Sequence, residues 1–149
     1  KTAEVYHRPQ QVLAAELFSE PAINLMPGRV SGTEVSFADT VHFPLNPDLQ
    51  GIAEGEYRFG VRPSHIGLVP SNDDDLELAV TVELAEISGS ETFLHVRNEQ
   101  FVLVLHLPGV HEYDVDSSIL IYIPTHKLFV FSADGQLIQA PSRRLGRVA

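Results

Sequence analysis

Leu76-Glu77-Leu78-Ala79-Val80-Thr81-Val82-Glu83-Leu84 is the stretch on which the fold turns. Apolar residues at 76, 78, 80, 82 and 84 alternate with Glu77, Ala79, Thr81 and Glu83. Successive side chains of a strand point to opposite faces, so a period of two predicts one long, half-buried strand. Gly89-Ser90 then reads as a turn, with Thr92 to Arg97 as the return strand. Asn98-Glu99 makes a second tight turn before a strand over Phe101 to Leu107. Ser118 to Ile123 is an apolar strand ended by Pro124, and Lys127 to Phe131 and Gln136 to Ile138 flank Asp134-Gly135. That pair predicts a hairpin turn in which both residues take positive φ.

The same period runs upstream. Residues 28 to 44 read as short strands broken near Ser31-Gly32 and Ala38-Asp39, and 46 to 56 as a loop. Tyr57 to Arg62 is a strand ended by Pro63, and Ile66 to Val69 another ended by Pro70. Ser71-Asn72-Asp73-Asp74-Asp75 lacks the Gly and the distal Glu of a calcium loop and is read as a solvated hairpin tip. One helix is expected, over Pro9 to Phe18, with Pro9 in the first turn and Leu13 and Leu17 on one face. About ten strands and one helix make an all-β domain, either a small barrel of the oligonucleotide-binding type or two such half-barrels. The expected organisation is a linker helix over 1–20, the β domain over 21–139 and a flexible basic tail over 140–149.

Composition narrows the function. The 149 residues carry a formal net charge of −10, with 10 basic side chains against 20 acidic ones. Nucleic-acid binding relies on cations that neutralise phosphates, so no nucleic-acid partner is expected, and an anionic membrane surface would repel the chain. With no cysteine there is neither a disulfide framework nor a thiolate metal site. No apolar run approaches the ~20 residues that span a bilayer. The polar start at Lys1 is unlike a signal peptide, and the missing initiator Met is read as the mark of a fragment or a processed chain.

Catalytic patterns are missing. A phosphate-cradling loop needs Lys after Gly, and neither lysine, Lys1 or Lys127, follows one. There is no G-x-S-x-G elbow and no H-E-x-x-H. Seven histidines show no ligand spacing, although His95 and His106 fall on neighbouring predicted strands. Catalytic, cofactor-binding and metal-ligating residues are therefore expected to be none.

Several stretches together resemble one family. Glu4-Val5-Tyr6-His7-Arg8-Pro9 is similar to an E-V-Y-x-x-P entry, and Glu20-Pro21-Ala22-Ile23-Asn24 to an x-P-x-M-N segment. Gly60 to Leu68 resembles G-x-R-P-E-H-I-x-L, Val82 to Val96 resembles V-E-x-x-E-x-x-G-S-E-T, and Leu128 to Gly135 an h-L-F-D-x-x-x-G ending. The ordered set, over roughly residues 3 to 139, is similar to the transport-associated oligonucleotide-binding-like (TOBE) domain of ABC-transporter ATP-binding subunits. The resemblance is to the carbohydrate type, such as maltose or glycerol-phosphate importers. Ser19, Ser64 and Ser132 stand where the family tends to have Gly, Glu and Asp.

The resemblance implies a regulatory, dimer-stabilising domain with no ATP hydrolysis of its own, ATP and Mg being bound by a nucleotide-binding domain outside this chain. It implies a twin subunit, the parent's nucleotide-binding domain and, indirectly, membrane permease subunits as partners, on the cytoplasmic side of the cell membrane. The alternative is a small-ligand or oxyanion sensor. Candidate regulator or ligand contacts are Arg62 and His65, with Gly89, Ser90, Glu91 and Thr92 around the turn.

Overall fold

A computed structural model describes residues 23–37, 41–45 and 51–141. The helix expected over Pro9 to Phe18 and the tail from Ser142 onward lie outside the described residues. Ten strands run in chain order: β1 Asn24–Ser31, β2 Glu34–Phe37, β3 Val41–Pro44, β4 Gly55–Val61, β5 Leu76–Ser88, β6 Glu91–Arg97, β7 Val102–Pro108, β8 Ser118–Ile123, β9 Phe129–Ser132 and β10 Leu137–Gln139. The only helical pieces among the described residues are single 3-10 turns at Pro63–His65 and Thr125–Lys127. The domain is all-β, as the alternation predicts, and consistent with an oligonucleotide-binding-like fold.

The chain divides into two units. One comprises the described residues up to Gly60 and from Thr125 onward, the other Val61–Pro124, so the second, starting at the last residue of β4, is inserted between β4 and β9. In the first unit six strands form a sheet in the order β10-β9-β4-β1-β2-β3. β1, β2 and β3 are an antiparallel meander, and β9 pairs antiparallel with both β4 and β10. Its core is aromatic: the Phe37 ring lies 5.3 Å from Phe43 and 5.6 Å from Phe59. Gly28 makes room for them, since a Cβ there would sit 2.8 Å from both Phe37 and Phe59 ring atoms. Phe129 and Phe131 stack and close a second cluster with Ile23, Leu25 and Leu137.

In the second unit the sheet order is β7-β6-β5-β8, all antiparallel. Leu76, Leu78, Val80 and Val82 of β5 are buried together with Leu94 and Val96 of β6, Leu103, Leu105 and Leu107 of β7, and Ile121 and Ile123 of β8. Each alternates with outward residues, which is the period of two carried into packing.

Three expectations need correction. The register shifts between Val82 and Leu84. A bulge moves the following residues to the opposite face, so Leu84, inward by simple alternation, is 47% exposed. Ile66 to Val69 is not a strand: Gly67 makes only an isolated two-bond bridge to Tyr122, at 2.9 Å each way. Pro63 and Pro70 bracket that segment without N–H donors, and ladder pairing stops there. At Asp134-Gly135 only Gly135 has positive φ, +95°. The loop is longer than a two-residue turn: the Gly135 N–H donates to the Ser132 carbonyl at 3.0 Å and the Ser132 N–H to the Gln136 carbonyl at 2.8 Å.

Candidate functional site

All six candidate contact residues fall in the second unit, at two places. Arg62 is buried, 4% exposed, and precedes the 3-10 turn with an extended backbone. Pro63 at the first position of that turn presets its φ, and the His65 N–H closes it on the Arg62 carbonyl at 2.9 Å. The turn packs against β7.

Gly89, Ser90, Glu91 and Thr92 come together at the tip of the β5–β6 hairpin. Gly89 takes φ +61° while Ser90 does not have positive φ, a combination that suits a two-residue hairpin with Gly first. Thr92 points the other way from Glu91, into the sheet's buried side, and is fully buried. Its hydroxyl donates to the Gly109 carbonyl at 2.9 Å and accepts the His111 N–H at 3.0 Å. The Gly109 N–H adds a bond to the Ser90 carbonyl at 2.7 Å, and His111 Nε2 donates to the Pro108 carbonyl at 2.8 Å. Thr92 thereby clasps the 108–111 segment onto the hairpin. Nothing in the sequence marks this role except Pro108-Gly109, which announces a turn without saying what it meets.

Outward residues of β5, β6 and β7 form a second feature. Phe93 lies opposite Glu86 on one side and His106 on the other, and its ring stacks on the His106 ring at 4.6 Å. Every cationic or imidazole group in this row is held by a carboxylate one row away. His95 Nε2 meets Glu86 at 2.8 Å, His106 Nε2 meets Glu91 at 3.0 Å, and Arg97 meets Glu83 at 3.0 Å and Asp116 at 3.4 Å. His95 and His106 do sit on adjacent strands, but they are not opposite each other: His95 pairs with Val104 and His106 with Phe93. No group of three or more His, Asp or Glu among the described residues is placed to hold a metal ion. Between the paired charges, Leu84, Val102 and, toward β8, Leu120 leave apolar surface exposed. Near Leu120, the Tyr122 hydroxyl donates to Glu77 at 2.8 Å, and that bond to a carboxylate holds the phenol above its usual range.

The arrangement offers an apolar surface threaded with paired polar side chains. An anion at this face would have to compete with Glu83 and Asp116 for Arg97, and with Glu86 and Glu91 for the two imidazoles. Among the described residues no helix is long and apolar enough to cross a membrane.

No protein-family model matches the chain. Curated proteins do. The chain is 30% identical over 134 residues to the sulfoquinovosyl glycerol transport ATP-binding protein of Agrobacterium fabrum, covering 87% of this chain and 37% of that one. It is 27% identical over 133 residues to the sn-glycerol-3-phosphate import ATP-binding protein of Escherichia coli K12, covering 88% and 37%. The corresponding protein of Paraburkholderia xenovorans is 30% identical over 136 residues, covering 86% and 37%. The chain thus spans well under half the length of these relatives.

Proposed function

The chain is homologous to one segment of importer ATP-binding subunits, and from this we propose that it is the C-terminal regulatory and dimer-stabilising domain of such a subunit in an ABC importer for sugars or a related solute. The observation that carries the reading is the coverage. Nearly all of this chain aligns, yet it accounts for 37% of each relative, and its two lysines sit in no phosphate-binding loop. ATP and Mg binding then belong to the remainder of the parent subunit. The parent's nucleotide-binding domain, a twin subunit and, through them, membrane permease subunits are the partners, on the cytoplasmic side of the membrane.

Dimer stabilisation is a matter of buried apolar area. The second unit keeps Val69, Leu84, Val102, Val110, Val115 and Leu120 exposed, which supports a role in contact rather than in chemistry. The alternative, oxyanion sensing, would rest on Arg62, His65 and the backbone around Gly89, and it draws less support from an Arg62 that is buried at 4% exposure. Light scattering coupled to size exclusion tests the reading: the chain is expected to self-associate with rising concentration and to hydrolyse no ATP. A strict monomer at high concentration removes the self-association role, and measurable ATPase activity overturns the assignment of hydrolysis to the rest of the subunit.

A further inference from the structure

Asp134-Gly135 is the sole Asp-Gly pair of the chain, and no Asn-Gly occurs. Such a pair is chemically labile. The glycine nitrogen can attack the aspartate side-chain carboxyl carbon, forming an N–C bond as the C–OH bond breaks and the carboxyl hydroxyl leaves with the amide proton as water. Water then adds to either carbonyl of the resulting five-membered imide and opens it to aspartate or to isoaspartate. One water leaves and one returns, so no oxidant or other reactant is needed. The attack requires an amide nitrogen free to give up its proton, a protonated carboxyl and a backbone free to close the ring.

The β9–β10 loop withholds all three. The Gly135 N–H is engaged by the Ser132 carbonyl at 3.0 Å. The Ser132 hydroxyl donates to Asp134 Oδ1 and accepts the Gln136 N–H at 3.1 Å. The Ser132 N–H donates to the Gln136 carbonyl at 2.8 Å, which pins the two ends of the loop together. We propose that Asp134 is the isoaspartate-forming modification site of this chain and that Ser132 is the positioning residue that suppresses the reaction while the loop is closed. The hydrogen bond from Ser132, outweighing slight desolvation, also holds the Asp134 carboxyl below its usual range, and an ionised carboxyl cannot release its oxygen as water. Opening the loop reverses each condition. The product carries an extra methylene in its backbone, which breaks the Leu137 to Phe131 register. Isomerisation therefore unzips β10 from β9.

The test is an ageing experiment at neutral pH on the chain, its Ser132→Ala and Ser132→Thr variants, and a free peptide covering residues 129–139. Isoaspartate at 134 is read by electron-transfer mass spectrometry. The peptide is expected to isomerise severalfold faster than the chain, Ser132→Ala severalfold faster than the unaltered chain, and Ser132→Thr, which keeps the hydroxyl, at the unaltered rate. Equal rates in chain and peptide overturn the proposal, and so does a folded Ser132→Ala variant that ages no faster. Should circular dichroism show Ser132→Ala unfolded, the comparison of chain with peptide decides the question alone.

Discussion

At the scale of single residues, burial and hydrogen bonding separate structural roles from available ones. Thr92 looked available in the sequence because it borders a turn, yet both its hydroxyl bonds are spent on Gly109 and His111. Thr92→Val keeps the shape and leaves the Gly109 carbonyl and His111 N–H without that partner. Its expected cost is about 1–3 kcal/mol, read as a lower urea midpoint with unchanged slope, while Thr92→Ser is expected to keep most of the stability. Asp75 illustrates the opposite case, a charged residue whose work is local. Burial pushes its carboxyl up, but donation from the Ser71 N–H and hydroxyl and from Asn72 outweighs this and holds it below the usual carboxylate range. A carboxyl lowered in the folded state stabilises above its unfolded pKa and loses that contribution as pH falls through the folded value. Stability is therefore expected to decline in acid below the ordinary carboxylate range, and Asp75→Asn is expected to make that decline shallower in urea midpoints measured against pH. The Ser71–Asp75 segment is the exposed loop its composition suggests, but not a hairpin tip, since no strand precedes it to pair with β5; neither that nor its wrapped carboxylate was legible, because pairing and hydrogen bonds depend on chain path rather than on composition.

At the scale of elements, periodicity carried most of the information. The strand over 118–123 lies where its apolar run and Pro124 place it, and those over 34–37 and 41–44 lie where the period of two and the turn residues do. The misses share a cause. A bulge after Val82, a bridge at Gly67 in place of a strand and a longer loop at Asp134-Gly135 are all decisions about register. Register is settled by the partner strand, which a local pattern does not contain. Gly89 is the exception, since its positive φ of +61° is a local demand that the sequence announces. Gly89→Ala is expected to cost about 1–2 kcal/mol, the price of a left-handed L-residue. A thermal melt checks this: no change would mean that the hairpin tip relaxes to another turn.

At the scale of the whole molecule, the insertion of Val61–Pro124 between β4 and β9 means that the six-stranded sheet is completed only when the chain returns to it. Pairs between β4 and β9, such as Phe59 with Val130, join residues far apart in sequence. Within each sheet the protected positions should be central. Native-state hydrogen exchange is expected to be slowest in β5 and β6 of one unit and β1 and β4 of the other, and fastest in the edge strands β3 and β10. Uniform protection across a sheet would contradict this ordering. By itself the sequence determined the all-β class, the turn positions, the lack of a phosphate-binding loop and, through its ordered motifs, the resemblance to importer ATP-binding subunits. Those properties are local, written in side-chain period, in Gly and Pro placement and in which residue types are present. The tertiary structure alone decided that the strands divide into two sheets, that Leu84 faces outward, that Thr92 is a clasp, and that His95 and His106 are each held by a glutamate. Each of these depends on which distant strand lies alongside and in what register, and that follows from the burial of the whole chain.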